Sequence, residues 1–258
     1  MIIFGFVLIG LLLARLKNSK LVDQIILATS EDPCNDPLER YVAGLGYPVF
    51  RGSEDDVLDR YYRTAMEANA DVIVRVTGDC PLIDNSLVDV VIENLIKKSV
   101  CYASNISPPT FPDGLDVEVF TFKALEKAWS QAKEQSEREH VTSFIRKSDQ
   151  FSKWNLIHPT DYSSQRWTVD EPADLEVVQK IFDYFHPRKD FSWFEILDLH
   201  KKHPQWFEAN KNIARNEGLQ LGAGQKLWSR AKRVIPGGNM LLSKRPEMFL
   251  PGQWPTYF

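Results

Sequence analysis

Short apolar runs alternate with longer amphipathic stretches along most of this 258-residue chain. Strands that are buried on both faces have the first pattern, and helices that cover a sheet have the second. The alternation therefore predicts an α/β fold in which helices enclose a mostly parallel sheet. The predicted strands are 24–29, 72–76, 100–104, 117–120 and 167–169. The predicted helices are 37–44, 57–68, 86–97, 123–133, 137–146 and 173–185.

Capping signals support the predicted starts of three of these helices. Asp84 or Asn85 precedes the helix at 86–97, Ser136 lies at the start of the one at 137–146, and Glu171-Pro172 opens the last. Short polar side chains accept hydrogen bonds from the free N–H groups of a helix start, and proline fits the first turn. These helices therefore have a capping signal as well as an apolar face.

The pattern changes after residue 186. Helical stretches at 194–203 and 206–217, which together contain tryptophan and histidine, are followed by no further predicted strand, which indicates a C-terminal helical appendage. Residues 218–224 include three glycines and are typical of a linker. A last helix is predicted at 225–235, where Pro236-Gly237-Gly238 ends it.

The first fourteen residues carry no charge. A membrane-spanning helix needs about 20 apolar residues, so this segment is short for that role. A secretory signal begins with basic residues and ends in a small-residue cleavage site, and this segment has neither. Two interpretations remain, a targeting or membrane-associated segment and a buried strand or helix start. The pattern favours the buried start, so no membrane partner is expected.

Composition and charge exclude several classes of protein. The 31 Lys and Arg residues against 35 Asp and Glu give a net charge of −4, which argues against general electrostatic binding of nucleic acid. With 43% hydrophobic and 26% charged residues the chain has enough apolar mass for a core, so it is not disordered as a whole. Three widely spaced cysteines match neither a disulfide framework nor a zinc site, so we expect a cytoplasmic protein.

One candidate for chemistry is Asp79, which follows the predicted strand 72–76 through Thr77-Gly78. The carboxyl ends of strands form the ligand crevice of an open α/β sheet, so Asp79 would lie where a substrate-bound cation is held. Gly78 would allow a ligand to approach the backbone closely. The alternative is that Asp79 caps a turn or the helix after Pro81.

Asp170 repeats this arrangement, because it ends a short predicted strand and precedes a proline-led helix. Two strand-end aspartates from separate parts of one sheet can converge on Mg²⁺, which prefers oxygen ligands and leaves other positions for phosphate and water. The alternative for Asp170 is an N-cap of the following helix. Sequence spacing alone does not bring the two carboxylates together.

Three further clusters combine charged residues that can bind a substrate. Asp116 and Glu118 lie two apart on a predicted strand, where they can orient sugar hydroxyls, unless that face is simply solvated. Arg138 offers a guanidinium for a carboxylate or phosphate and His140 a donor near neutral pH, unless both lie on a solvated helix start. The segment 51–60 pairs a Gly-Ser turn with an acidic helix start, and capping alone explains most of it.

Six sequence blocks follow one another along the chain: LATS at 27–30, FRGSEDDVLDRY at 50–61, RVTGDCPLID at 75–84, PDGLDVE at 112–118, EREHVT at 137–142 and RWTVDEP at 166–172. In this order they resemble the spore coat polysaccharide biosynthesis protein F family, which is similar to the CMP-Kdo synthetases and acylneuraminate cytidylyltransferases. The resemblance covers residues 12–208 and is highly specific, because so many blocks keep their order.

The resemblance implies the nucleotide-diphospho-sugar transferase fold, in which a Rossmann-like mixed sheet lies between helices. It implies that a sugar hydroxyl attacks the α-phosphorus of CTP and that pyrophosphate leaves, in the biosynthesis of a surface or spore coat polysaccharide. The implied partners are CTP and a sugar acid, the implied metal is Mg²⁺ on Asp79 and Asp170, and relatives of this fold are often homodimers. The residues implied to act are Asp79, Asp170, Arg138 and His140 in catalysis, Ser53, Arg60 and Gly78 on the nucleotide, and Asp113, Asp116, Glu118 and Glu137 on the sugar.

Members of this family begin with a strand and a loop rich in glycine and basic residues that holds the triphosphate, and nothing of that kind precedes Leu11 here. Without this loop the triphosphate would lose several charged hydrogen bonds, each of which contributes about 1.5–3 kcal/mol. We expect a much lower affinity for the nucleotide than in members that have the loop. We therefore expect impaired activity of this chain, and we interpret the apolar start as a replacement for the first strand. The alternative is a non-catalytic module that uses the crevice and the tryptophan-rich helices to bind a partner.

A second resemblance begins at residue 225. QKLWSRAKRVIPGG at 225–238 and LSKRPEMFLPG at 242–252 are similar to the opening of class III aminotransferases of the glutamate-1-semialdehyde aminomutase type. The cofactor lysine of that family would lie beyond Phe258, so pyridoxal phosphate (PLP) belongs only to the absent remainder of that domain. The implied organisation is a cytidylyltransferase-like domain at 1–208, a linker at 209–224 and an aminotransferase fragment at 225–258, as in a bifunctional enzyme.

Overall fold

A computed structural model describes residues 2–213 and residue 215, with side chains from residue 7 onward. Helices and strands alternate along these residues, which confirms the predicted α/β class. The strands are β1 Leu27–Ser30, β2 Val49–Gly52, β3 Val72–Arg75, β4 Tyr102–Ser104, β5 Glu118–Thr121 and β6 Lys153–Asn155. The helices are α1 Ile2–Leu16, α2 Asp36–Gly44, α3 Val57–Glu67, α4 Asn85–Lys98, α5 Phe122–Gln131, α6 Gln135–Glu139, α7 Ser143–Lys147, α8 Pro172–Phe185 and α9 Trp193–Lys202. Short 3-10 helices lie at Pro33–Asn35 and Pro204–Phe207.

The strands form two sheets. β1 and β2 pair in parallel as a two-stranded sheet, and the four-stranded sheet has the order β3-β5-β4-β6. In the four-stranded sheet β5 is antiparallel to both of its neighbours, whereas β4 and β6 are parallel to each other. Strands β3, β4 and β6 therefore run in one direction and end at the same edge of the sheet.

Four polar side chains align across this edge. Arg75 on β3 is in register with Glu118 on β5, Glu118 with Ser104 on β4, and Ser104 with Asn155 on β6. Residues in register on neighbouring strands point to the same face of a sheet. These four side chains therefore form one line across the sheet, termed the polar row.

Both faces of the sheet are buried by helices. Val117 and Val119 belong to a hydrophobic cluster with α1 and α4, whereas Phe120 belongs to a cluster with α3, α5 and α7. Successive strand residues point to opposite faces, so β5 has an apolar neighbour on each side. Burial on both faces explains why apolar residues occupy consecutive positions in β3 and β5.

The apolar N-terminus is a helix, so of the two forms of buried start that the sequence leaves open, strand or helix, the helix is confirmed. Ile9, Leu12, Leu13 and Leu16 of α1 are buried, and their spacing is that of one helix face. Because the rest of this segment is also apolar, the helical period is not visible in the sequence. No helix within the described residues is long and apolar enough to cross a membrane.

The predicted helix 137–146 is wrong as a continuous element. The chain forms α6 and α7 instead, with a break at Val141, whose φ is +46°. This left-handed backbone is unfavourable for a β-branched residue, but it accompanies complete burial of the Val141 side chain. Ser136 is not the cap either, since Glu134 is the N-cap residue of α6.

Two further predicted elements differ from the structure. Residues 167–169 form no strand, and only an isolated bridge joins Asp113 to Arg166. The described residues of the predicted helix 206–217 form the end of the 3-10 helix Pro204–Phe207 and turns, whereas α9 confirms the first helix of the appendage. The chain up to Lys211 forms one compact unit. The helix predicted at 225–235, the predicted glycine linker and the aminotransferase-like segment lie outside the described residues.

Candidate active site

Asp79 lies on the loop after β3, and this loop is fastened to the segment before α8. The backbone oxygen of Asp79 accepts a hydrogen bond from Val169 N at 2.8 Å, and its carboxylate accepts one from Thr168 Oγ1 at 3.2 Å. Asp79 does not cap the following helix, because Asp84 is the N-cap of α4. The structure therefore joins two loops whose contacting residues are 89 positions apart in the sequence.

Asp170 directly follows that segment, so the structure brings both predicted metal-binding residues to one place. Its Oδ2 accepts a hydrogen bond from Arg166 Nη2 at 2.7 Å. Burial and the negative charge of Asp79 raise the pKa of Asp170. The N-cap of α8 is Glu171, which forms a capping box with Asp174, so the capping alternative is wrong for Asp170.

Arg166 holds several acidic residues of this site together. Besides Asp170, its guanidinium contacts Asp113 at 3.1 Å and Asp174 at 2.9 Å. Burial opposes ionisation of Asp174, but hydrogen bonds led by those from Arg166 lower its pKa overall. One guanidinium thus faces three carboxylates, and Asp79 adds a fourth negative charge, so this acidic cluster carries an excess of negative charge.

Sequence reasoning did not select Arg166, Asp174 or Asn210. Asn210 Nδ2 donates to Asp174 Oδ1 at 2.8 Å and to the backbone oxygen of Arg166 at 3.0 Å. The signals in the sequence are the place of Arg166 at the start of the block 166–172 and its position four residues before Asp170 and eight before Asp174. That spacing becomes informative only once the segment before α8 is known to be extended and packed against the Asp79 loop.

The excess negative charge of the acidic cluster suits a divalent cation. Carboxylate oxygens are ligands that Mg²⁺ prefers. Within the part of the chain that the structure describes, no group of three His, Cys, Asp or Glu side chains could hold a metal ion alone. A cation on Asp79 and Asp170 would therefore complete its coordination with water and with oxygens of a bound ligand. The raised pKa of Asp170 fits such a cation, which would offset the repulsion between the two carboxylates.

A cavity of about 660 Å³ opens at the carboxyl ends of β1 and β2. Ser53, a predicted nucleotide residue, lines it together with Arg51 and Arg63. Arg60 lies behind Ser53, because its Nη1 donates to Ser53 O at 2.7 Å, and its buried Nε has no hydrogen-bond partner in the structure. Burial also lowers the pKa of Arg60. The acidic residues lining this cavity are Glu31, Asp32, Glu54 and Asp59.

Arg138 lies on α6 and holds the start of α3. Its Nη2 donates to the carboxylate of Asp56 at 2.6 Å, and its Nη1 donates to Trp129 O at 2.6 Å. Asp56 is the N-cap residue of α3, so Arg138 is linked to the predicted nucleotide segment rather than solvated. A substrate anion would have to displace Asp56. Glu137 lies on the same short helix, and His140 is its C-cap residue.

Glu118 is a buried member of the polar row and not part of a solvated strand face. Its carboxylate accepts hydrogen bonds at 2.6 Å from Arg75 Nη1, Tyr102 Oη and Thr142 Oγ1. Burial and the Glu118 charge raise the pKa of Tyr102, which therefore remains a neutral donor. The structure thus gives Glu118 a full set of protein partners.

The other predicted residues of this region lie nearer to Asp79. Burial, the Asp79 charge and then the Asp116 charge raise the pKa of the Cys80 thiol, so Asp116 is close to the Asp79 loop. Asp113 belongs to the acidic cluster through Arg166. Gly78 is exposed, and a Cβ there would meet only Ile9 Cδ1 at an ordinary 3.7 Å. A close approach of the nucleotide to Gly78 stays a prediction.

The sequence pattern of the cytidylyltransferase family matches residues 2–214. This chain belongs to the cytidylyltransferase family. An uncharacterized protein of Methanocaldococcus jannaschii is 39% identical over 212 residues, which cover 80% of this chain and 84% of the relative. The spore coat polysaccharide biosynthesis protein SpsF of Bacillus subtilis is 29% identical over 205 residues, which cover 76% of this chain and 84% of SpsF.

Solved structures agree with this membership. A cytidylyltransferase from Leptospira borgpetersenii is 32% identical with a TM-score of 0.75, and the match covers 81% of this chain and 88% of that one. The CMP:2-keto-3-deoxy-manno-octonic acid synthetase in complex with CTP is 13% identical with a TM-score of 0.51, over 69% of this chain and 88% of the other. The cytidylyltransferase thus has the Rossmann-like fold that the resemblance implies.

Proposed function

We propose that this cytidylyltransferase transfers a cytidylyl group from CTP to a hydroxyl of a sugar acid and releases pyrophosphate. The observation that best supports this reaction is that Asp79 and Asp170 lie near each other at the edge of the sheet where β3 ends. Ligands of open α/β sheets bind at this edge. The names of two relatives, a polysaccharide biosynthesis protein and a CMP-sugar synthetase, favour a sugar as the acceptor.

In this proposal the chain acts mainly by positioning and charge. Asp79 and Asp170 would hold Mg²⁺, which when bound offsets phosphate charge and helps the sugar hydroxyl to lose its proton. Thr168 holds the carboxylate of Asp79 in place, and Arg166 does the same for Asp170. Each hydrogen bond reduces the freedom of a carboxylate, and such positioning can account for a large part of a rate enhancement.

The cavity beside β1 and β2 is proposed to bind the nucleotide, with Ser53, Arg60 and Gly78 on the nucleotide side. The sugar acid is proposed to lie near Asp113 and Asp116, which the structure places near Asp79. These 258 residues contain no loop rich in glycine and basic residues before β1, so we infer weak binding of CTP by this chain. Cytoplasmic location and a homodimer remain predictions.

The experiment is a pyrophosphate-release assay with CTP, Mg²⁺ and a panel of sugar acids and neutral sugars. We expect release that needs a sugar acid and falls at least about a hundredfold in Asp79→Asn and in Asp170→Asn, since each removes a metal ligand. Asp183→Asn changes an exposed aspartate on α8 and serves as the control. Turnover that survives Asp79→Asn would refute the proposal. Tight Mg·CTP binding without turnover would instead favour the non-catalytic module.

A further inference from the structure

We propose that a pocket between β4, β6 and α7 binds a small oxyanion, a carboxylate or a phosphate group, at a site separate from the acidic cluster. The pocket has a volume of about 200 Å³. A water molecule occupies about 30 Å³ of liquid, so the pocket has room for such a group and part of the molecule that carries it. The inference needs only the lining of the pocket and does not depend on the proposed function.

Among the residues that the structure describes, the charged ones that line this pocket are Arg146 and Lys153, and no carboxylate lines it. Arg146 forms no ion pair with any residue that the structure describes. Lys153 Nζ donates to the backbone oxygens of Arg146 at 2.8 Å and Ser148 at 2.9 Å, which fixes it beside α7 and leaves one N–H for a ligand. Two positive charges therefore meet at the pocket without a counter-charge, and charge-assisted hydrogen bonds to an oxyanion are strong.

The floor of the pocket is built from buried polar groups that already have fixed positions. Tyr102 and Ser104 are 2% and 1% exposed, and both line the pocket. Ser104 Oγ donates to Asn155 Oδ1 at 3.0 Å, and the same oxygen accepts from Ser107 N at 3.0 Å. A lining whose side chains are held by one another loses little entropy when a ligand binds.

The carboxylate of the polar row does not neutralise these cations. Glu118 is paired with Arg75 at 2.6 Å, and its remaining acceptor sites take hydrogen bonds from Tyr102 and Thr142. The charge of Glu118 therefore has its own counter-charge in Arg75. Among the residues that line the pocket, the charges that an oxyanion would face are those of Arg146 and Lys153.

The pocket lies at the same edge of the sheet as the Asp79 loop but at the far end of the polar row. Asn155 on β6 is separated from Arg75 on β3 by three strand spacings. At about 4.8 Å each, these amount to roughly 14 Å. An oxyanion bound there is therefore outside the acidic cluster, and it belongs to a second ligand or to a distant group of an extended substrate.

The test uses the full chain labelled with ¹⁵N and followed by two-dimensional NMR. Inorganic phosphate and glucuronate are titrated separately, with sodium chloride at matched ionic strength as the control. We expect saturable shifts of the Ser107 backbone amide and of the Asn155 side-chain amide with at least one of the two probes. Arg146→Gln should weaken this binding about tenfold or more, because it removes the unpaired guanidinium.

The matched control variant is Lys147→Gln, which removes a neighbouring exposed cation of α7 that does not line the pocket. It should leave the binding unchanged, and both variants should keep the unfolding midpoint of the original chain. Equal saturation in Arg146→Gln, or equal shifts with chloride, would overturn the proposal. Loss of the chemical-shift changes in Asp79→Asn would also overturn the proposal, since that result would place the anion at the acidic cluster. Saturation by one probe only identifies a phosphate or a carboxylate ligand.

Discussion

Asp174 is the residue of the acidic cluster with the least contact to solvent. Its side chain is fully buried and accepts hydrogen bonds from Arg166, Asn210 and two backbone N–H groups. A buried ion pair adds little compared with apolar packing, but removing one partner leaves the other charge uncompensated. Asp174 therefore supports the site through stability, whereas Asp79 and Asp170 are the candidates for chemistry.

Asp174→Asn should lower the free energy of unfolding by about 3 kcal/mol at pH 7, because Arg166 loses a buried partner. The lowered pKa of Asp174 gives this loss a pH dependence. Its stabilisation is present above the ordinary aspartate pKa of about 3.9 and disappears as pH falls through the lower folded-state value. Urea unfolding from pH 7 to pH 3 should show the difference shrink in acid.

The control for this change is Glu176→Gln on the same helix. Glu176 forms an exposed pair with Lys180, and such pairs contribute about 0–1 kcal/mol. A loss of stability in Glu176→Gln as large as that in Asp174→Asn would show that any charge change on α8 is harmful, and the specific role of Asp174 would be wrong.

Gly114 is a residue that the fold requires to be glycine. Its φ is +101°, and a Cβ there would lie 2.5 Å from Thr168 N and 2.6 Å from Trp167 C. Gly114→Ala should therefore cost about 2–4 kcal/mol of unfolding free energy, from backbone strain and overpacking. Gly44→Ala is the matched control, because nothing lies within 4 Å of its Cβ, and it should be neutral or stabilise α2 by up to about 1 kcal/mol. Thermal unfolding of both variants decides between these outcomes.

At the scale of elements, the sequence predicts the bounds of several amphipathic helices closely, although a cap and an apolar face together do not guarantee a helix, as the break in 137–146 shows. Helices α3, α4 and α8 lie within one or two residues of their predicted bounds, and Asp84 caps α4 as expected. The failures have tertiary causes. Strand β6 has three residues with a polar one at each end, so it shows no apolar run. The break at Val141 follows from packing that its sequence does not reveal.

Helix α1 depends on a tertiary contact of the same kind. Arg15 is 2% exposed, and its guanidinium donates to the backbone oxygens of Ile83 and Phe191 at 2.8 Å each. Burial lowers the pKa of Arg15 to about 10, which offsets part of the gain from these bonds. Arg15 thus joins α1 to the loop before α4 and to the segment before α9.

Arg15→Met should lower the free energy of unfolding by about 2 kcal/mol, because the carbonyl groups lose a charged donor while the apolar stem is kept. Lys17→Met, in the turn directly after α1, changes an exposed cation and should be nearly neutral. Chemical unfolding measures both. Equal stability of the two variants would mean that water replaces the Arg15 donors without cost.

At the scale of the whole molecule, Asp79 and Asp170 could be selected from the sequence as candidate metal ligands. Their proximity in the fold could not be predicted from their spacing. This proximity depends on a hydrogen bond between Val169 and Asp79, in a segment that belongs to no strand. The polar row was equally hidden, since its members come from separate strands and become neighbours only through the register. Family resemblance supplied the pairing of the two aspartates, whereas Arg166 and the pocket at Arg146 required the three-dimensional structure.

The extent of the domain gives the last prediction. The sequence places the domain end at residue 208, but the compact unit extends to Lys211 and includes Asn210, which is 3% exposed. A chain ending at Glu208 loses the hydrogen bonds from Asn210 to Asp174 and to the backbone of Arg166. Compared with a chain ending at Lys211, it should be less stable by about 1–3 kcal/mol in urea unfolding, since a buried carboxylate oxygen and a carbonyl lose their donor.

Two variants of the chain ending at Lys211 separate Asn210 from the other lost residues. Asn210→Ala should reproduce most of the loss, whereas Lys211→Ala removes only an exposed ion pair with Glu208 and should change stability by less than about 1 kcal/mol. Equal stability of the two chain lengths would restore the boundary at residue 208. A loss that follows Asn210 alone would show that the acidic cluster is completed from the C-terminal end of the domain, so stability of the site and extent of the domain are set by one side chain.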